Sequence, residues 1–102
     1  MRTMTIAGVA AGLLAWAGLA AAQPDPVQVQ SWAATCATCH GTDGRAGPGG
    51  IPLAGGDEQE MLQKLLDYKN DARPATVMHQ IGKGYSDEQL AAFAAWFAKQ
   101  KK

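Results

Sequence analysis

The two cysteines of this chain lie three positions apart and are followed directly by a histidine. Cys36-Ala37-Thr38-Cys39-His40 contains the only cysteines among 102 residues. Because about one helical turn separates the two sulfurs, they can reach the two vinyl groups on one edge of a porphyrin, and the next residue can place an imidazole beneath the ring. The motif therefore predicts one covalently attached haem c, with Cys36 and Cys39 as its anchors and His40 as an iron ligand.

Three other kinds of site also use closely spaced cysteines. A disulfide between Cys36 and Cys39 suits an oxidising compartment but leaves His40 without a role. A thioredoxin-like redox pair requires a βαβ context, and the sequence has no convincing strand pattern. A zinc centre needs a tetrahedron of four ligands, which the adjacent Cys39 and His40 suit poorly. The haem site is the interpretation that the residues favour.

The N-terminal segment has the three parts of a secretory signal peptide. Arg2 supplies a positive charge, Ile6 to Leu19 form an uncharged apolar run of 14 residues, and Ala20 to Ala22 are small. We expect residues 1–22 to be removed on export to the periplasm and residues 23–102 to form one cytochrome domain. The alternative is an uncleaved membrane anchor, for which the apolar run is too short. No membrane span is expected after cleavage.

The size and charge of the remaining segment limit its partners. Removal of the first 22 residues would leave 80 of the 102, with eight Lys and Arg against nine Asp and Glu, a net charge of −1. A domain this small usually needs a disulfide, a metal or a cofactor to stabilise its core. The sequence has no basic patch, so we expect no nucleic-acid partner.

The periodicity of apolar residues predicts an all-α fold with four short helical segments. The expected start signals are Asp25 with Pro26, Asp57, Pro74, and Ser86 with Gln89. The third segment is predicted to run from Ala75 to Ile81 and to stop at Gly82 and Gly84. The last segment has a clear buried face, made of Leu90, Phe93, Ala94 and Phe97. Trp32 on the first helix is expected to contact Phe93 or Phe97.

The sixth position on the haem iron has two candidate ligands and a third alternative. Electron carriers usually place a methionine there. Met78 follows a proline break, where the chain can fold over the second face of the haem, whereas Met61 lies in an apolar helix stripe and is predicted to be core. His79 is the competing ligand, and an open sixth position is the remaining alternative. Met78 is the prediction.

Residues near Met78 are candidates for contacts with the rest of the haem. Arg73 and Lys83 flank the segment, and the forked guanidinium of Arg73 is the better donor to a propionate. A buried porphyrin also needs apolar neighbours. The predicted wall consists of Ile51, Leu53, Leu65 and Ile81.

Two stretches of the sequence resemble class I cytochromes c. They are Cys-Ala-Thr-Cys-His-Gly-Thr-Asp-Gly at 36–44 and Arg-Pro-Ala-Thr-Val-Met-His-Gln-Ile-Gly-Lys-Gly-Tyr-Ser-Asp-Glu-Gln-Leu at 73–90. They are most similar to the cytochrome subunit of flavocytochrome c sulfide dehydrogenase and to the halves of small dihaem cytochromes. The resemblance implies three to four helices around one haem, the anchors and ligands predicted above, and transfer of electrons from a flavoprotein subunit.

The resemblance leaves the partner and one structural detail open. A free electron carrier that serves an oxidase or another dehydrogenase is the alternative function, and a haem enzyme or gas sensor with an open sixth site is a third. As a subunit of a sulfide dehydrogenase or as a free carrier, the chain by itself is expected to be an electron carrier and not an enzyme. The family's proline pattern after the haem motif is shifted here, in Ile51-Pro52-Leu53-Ala54-Gly55-Gly56. The pattern therefore does not identify the backbone carbonyl that orients His40, and Pro48 is a candidate.

Overall fold

The computed structural model describes residues 24–102, and this part of the chain contains helices and no strand. The helices are α1 (Pro26–Ala33), α2 (Ala37–His40), α3 (Glu58–Lys69), α4 (Met78–Lys83) and α5 (Asp87–Ala98). A 3₁₀ turn at Ala34–Cys36 joins α1 to α2, so the chain is helical without a break from Pro26 to His40. A second 3₁₀ turn lies at Thr42–Gly44. The described part therefore has four α-helical segments, which confirms the all-α prediction.

Three helix starts follow from side-chain caps. The Asp25 carboxylate accepts a hydrogen bond from the Val27 N–H at 2.7 Å, and Pro26 occupies the first helical position. The Asp57 carboxylate accepts from the Glu60 N–H at 2.8 Å. Ser86 and Gln89 form a reciprocal capping box, with bonds of 3.1 and 2.9 Å. Each cap satisfies a backbone donor that the first helical turn leaves free, so the three predicted starts are confirmed.

The predicted start of the third segment is wrong, and of its two predicted stop residues only Gly84 is confirmed, as the residue that caps the end of the helix. The helix begins at Met78 and not at Ala75, and it continues through Gly82 to Lys83. Gly82 does not stop the helix because it packs on α3. A Cβ at this position would lie 3.1 Å from the backbone nitrogen of Lys69 and 3.3 Å from the Lys69 Cα. The glycine therefore allows a close approach of α4 to α3, which periodicity along the chain does not reveal.

The core forms where α1 meets α5. Leu90, Phe93, Ala94 and Phe97 are all buried, as their spacing predicts, and Val29 and Ala33 of α1 pack against them. The rings of Trp32 and Phe93 meet edge to face with centroids 6.4 Å apart, which confirms the predicted contact. Helix α3 contributes half-buried leucines to the same cluster. The helical segment that carries the cysteines is thereby fixed to the body of the domain.

The predicted signal peptide lies outside the described residues. Within residues 24–102, no helix combines the length and the apolar composition needed to cross a bilayer.

Candidate haem site

The two cysteines occupy one continuous helical stretch and both are free thiols. Cys36 ends the 3₁₀ turn, is half-buried and packs against the core cluster, while Cys39 on α2 is exposed. Burial raises the pKa of the Cys36 thiol, an effect that a hydrogen bond with Thr35 partly offsets. The helix thus offers one sulfur at the core and a second at the surface, one turn further on.

His40 is held by a backbone carbonyl. Its Nδ1 lies 2.8 Å from the carbonyl oxygen of Ile51. A carbonyl oxygen only accepts hydrogen bonds, so Nδ1 carries the proton and donates it, and Nε2 keeps its lone pair for a metal. The acceptor is therefore Ile51 and not Pro48, the candidate that the shifted proline pattern raised. Pro52 restricts Ile51 to an extended conformation, which helps to fix this carbonyl.

The loop that contains Ile51 is held by backbone hydrogen bonds, one of them to the core residue Phe97. The Gly44 carbonyl accepts hydrogen bonds from the N–H groups of Leu53 and Ala54 at 2.9 and 3.1 Å, and the Gly55 N–H donates to the Phe97 carbonyl at 2.9 Å. Gly44 is buried with a φ of +78°, and a Cβ there would lie 2.9 Å from Phe97. Only glycine fits this position, so the loop position and the acceptor for His40 are set together.

The structure distinguishes the two methionines of the described part. Met78 is half-buried and is the first residue of α4, directly after the loop that leaves α3. Met61 is half-buried in α3 and packs against the core cluster, as predicted. Met78 therefore lies where the chain enters α4 after the loop from α3. Its role as a ligand stays a prediction.

The predicted haem wall divides into two groups. Leu53 and Leu65 are half-buried and pack against the core cluster. Ile51 and Ile81 are 69% and 46% exposed, next to His40 and one turn after Met78 respectively. The sequence analysis missed Val77, which is 56% exposed and directly precedes Met78. The only sign of Val77 in the sequence was the position of an apolar residue between a proline and a methionine.

The two predicted propionate donors already have partners in the structure. The Arg73 Nη2 lies 3.5 Å from an Asp67 carboxylate oxygen, and its guanidinium carbon lies 5.9 Å from the centre of the Tyr68 ring. The Lys83 ammonium donates to Asp71 at 2.6 Å. Arg73 still has free N–H groups, so it keeps the ability to bind a carboxylate.

These residues fit a haem c. The structure supplies two free thiols at the required spacing, an imidazole oriented through Nδ1, and exposed aliphatic side chains beside the imidazole and Met78. Large exposed aliphatic side chains next to candidate ligands are typical of a surface that a cofactor or partner covers. The arrangement suits an apolar, covalently held ring with iron at its centre.

Comparison with known proteins identifies the family. The family model for "Cytochrome C oxidase, cbb3-type, subunit III" matches residues 29–97. The chain belongs to the class I c-type cytochromes. Membership implies a covalently bound haem c and makes the chain an electron-transfer cytochrome.

Named relatives of this cytochrome support the assignment. It is 40% identical over 85 residues to cytochrome c4 of Pseudomonas aeruginosa, covering 82% of this chain and 42% of the relative. It is 39% identical over 69 residues to the cytochrome subunit of sulfide dehydrogenase of Chlorobaculum tepidum, covering 67% and 62%. It is 33% identical over 89 residues to cytochrome c-554(548) of Halomonas halodenitrificans, covering 83% and 100%. The cytochrome thus spans less than two thirds of the first two relatives.

Proposed function

We propose that this cytochrome carries single electrons through a haem that would be attached to Cys36 and Cys39, with His40 and Met78 as the residues that would hold its iron. The observation that carries the proposal is the 2.8 Å contact between His40 Nδ1 and the Ile51 carbonyl oxygen, beside two free thiols. A histidine fixed in this way presents Nε2 in one orientation, as metal-binding histidines do. Met78 supplies the soft thioether ligand that raises the reduction potential of a carrier.

The protein's contribution to electron transfer is to keep both ligands still. His40 is held through a loop that is fastened to Phe97, and Met78 begins a helix whose Gly82 packs on the α3 backbone. The haem supplies the one-electron chemistry when bound. Ligands that do not move between oxidation states keep the rearrangement during transfer small. The exposed aliphatic side chains exclude water from the ring and favour its burial.

The surface near the cysteines favours a partner that docks through an uncharged surface. No Lys, Arg, Asp or Glu lies between Pro26 and Thr42, and the helix in this stretch exposes Val27 and Cys39 together with neutral polar residues such as Gln30 and Thr38. Electrons would enter and leave at the haem edge that these cysteines anchor. Docking at such a surface depends on apolar contact and shape more than on electrostatic steering. We therefore expect the rate of electron transfer to the partner to change little with ionic strength.

The partner we propose is the flavoprotein subunit of a sulfide dehydrogenase. The support is the resemblance of residues 36–44 and 73–90 to such cytochrome subunits and the 39% identity to the Chlorobaculum tepidum protein. The test is affinity purification of the tagged cytochrome from its own cells, followed by flavin and haem spectra of the eluate. A flavoprotein that elutes in equal amount and reduces the haem when sulfide is added supports the proposal. Elution of the cytochrome alone contradicts it.

The second candidate is a free carrier between other redox proteins. The observation in its favour is that this chain covers the whole of cytochrome c-554(548). A cytochrome that elutes from a sizing column at its own mass, and that exchanges electrons with several oxidases or dehydrogenases, would support the second candidate over the first.

We also propose that residues 1–22 are removed on export and that the cytochrome works in the periplasm. The support is the charge, apolar run and small residues of that segment. Mass spectrometry of protein from the periplasmic fraction tests the cleavage site and the haem together. The expected mass is that of residues 23–102 plus one haem. A colourless protein with no added mass contradicts the proposed function.

A further inference from the structure

Two side-chain nitrogens of the described residues are buried and have no hydrogen-bond partner. They are Nε of Arg73 and Nδ1 of His79. Buried polar groups in folded proteins almost always have a partner, so each such nitrogen calls for an explanation. The proposed ligand set uses neither of them.

Both residues line the same cleft. It has a volume of about 340 Å³ and is formed by Asp71, Ala72, Arg73, Pro74, Ala75 and His79. Arg73 lies in the loop between α3 and α4, and His79 is the second residue of α4. A cleft of this size has room for a polar group of several heavy atoms. The two residues that carry the unpartnered nitrogens therefore line one cleft.

The charges around the cleft leave these nitrogens available. The Asp71 carboxylate is occupied by the Lys83 ammonium at 2.6 Å. Asp67 lies 3.5 Å from Nη2 of Arg73, on a different nitrogen from the orphan Nε. The Nε–H of arginine is always a donor, and the Nδ1 of histidine is a donor in one neutral tautomer and in the imidazolium. Two donors on residues of one cleft, one of them cationic, match a group with two acceptor oxygens.

We propose that Arg73 Nε and His79 Nδ1 together bind one carboxylate or oxyanion group. The two possible sources are a propionate of the haem and a small free oxyanion from solution. The propionate alternative rests on the proposed function, because it requires the haem. It assigns His79 a role other than iron ligation and pairs it with Arg73, so that the segment which carries Met78 also carries two donors to the porphyrin.

The first experiment measures the reduction potential of the purified holocytochrome by spectroelectrochemistry. Arg73→Lys keeps the positive charge but has no N–H at the Nε position, and His79→Leu removes the ring donor. The matched controls are Arg45→Lys and Gln80→Leu, at an arginine and an exposed amide outside the cleft. His79→Asn is the conservative variant, because an asparagine amide can place an N–H near the Nδ1 position.

The second experiment measures the melting temperature of the same proteins in sodium sulfate and in sodium chloride of equal ionic strength. Sulfate stabilises most proteins by exclusion from their surface, and that general effect appears in every variant. Binding at the cleft adds a further rise that Arg73→Lys and His79→Leu lose and the two controls keep.

The outcomes separate the sources. A fall in potential in Arg73→Lys and His79→Leu, with His79→Asn and both controls near the parent value, supports the site with a propionate in it. An unchanged potential with loss of the sulfate-specific rise supports the site with a free oxyanion. If the two cleft variants match their controls in both experiments while haem and its methionine band are retained, the inference is overturned and the proposed function is not.

Discussion

The imidazole Nδ1 of His40 lies 2.8 Å from the carbonyl oxygen of Ile51, 11 residues further along the chain. This contact joins the helix that carries the cysteines to the glycine-rich loop, and it decides which ring nitrogen would bind iron in the proposed site. A hydrogen bond to Nδ1–H also increases the electron-donating power of the ring. The contact therefore bears on both the geometry and the reduction potential of the site.

Replacing Pro52 is expected to raise the reduction potential. Pro52→Ala frees Ile51 from its extended conformation, so the carbonyl loses its fixed position and the bond to His40 weakens. A less basic imidazole stabilises ferric iron less. Spectroelectrochemistry of the holocytochrome measures the change, with Pro48→Ala as the matched control because it alters an exposed proline of the same loop. Equal shifts in the two variants would show that the Ile51 contact does not tune the site.

Replacing Met78 is expected to remove the weak near-infrared absorption of a methionine–ferric bond and to lower the reduction potential. The reason is that the thioether favours the ferrous state. Met61→Leu is the control, since Met61 packs against the core cluster and leucine fills a similar volume. Absorption and redox titration of both variants check the assignment. A band that persists in Met78→Ala, or that disappears in Met61→Leu, would reject Met78 as the ligand.

Truncating Leu90 is expected to destabilise the domain by about 2–5 kcal/mol, because the side chain is only 1% exposed and its removal leaves a cavity. The same type of change at Val27, which is 71% exposed, should alter the free energy of unfolding by about 0.5 kcal/mol or less. Guanidinium unfolding of the two holoprotein variants, Leu90→Ala and Val27→Ala, measures both. Similar losses in the two would mean that the α1–α5 contact is not the core.

Without haem the chain is expected to fold poorly. The described part has only seven buried apolar residues, two of them in α1 and four in α5, and large aliphatic side chains such as Ile51 and Val77 are exposed. A core of this size rarely holds a domain together unaided. Circular dichroism of Cys36→Ser/Cys39→Ser protein should show reduced helix and a broad melt. A sharp melt with full helical signal would contradict this expectation.

The pair formed by Asp71 and Lys83 is expected to make stability slightly pH-dependent in acid. The hydrogen bond from Lys83 lowers the pKa of Asp71 below its ordinary value of 3.8. The contribution is therefore complete above that ordinary pKa and is lost as the pH falls through the lower pKa of the folded state. Melting temperatures between pH 2 and pH 6 should fall less steeply in Lys83→Met than in the parent. The effect is small because the pair is exposed. Parallel curves would rule it out.

Local signals in the sequence predicted most of the helices. Asp25, Asp57 and Ser86 each cap a helix through an atom that lies two or three residues away, so the whole interaction is contained in a short stretch of sequence. The buried face of α5 follows from the 3.6-residue period in the same way. The exception is α4, whose glycine is tolerated because of a contact with another helix.

What the sequence by itself determined is the chemistry of the site. The spacing of two thiols and an imidazole within five residues predicts a covalent haem before any fold is known, because one helical turn fixes where those three side chains can reach. Only the tertiary structure decided the partners of that chemistry: which carbonyl holds His40, where Met78 begins its helix, and which nitrogens of Arg73 and His79 are buried together. Each of these depends on loops closed by contacts with other helices, and the free energy of such closures comes from residues far apart in the sequence.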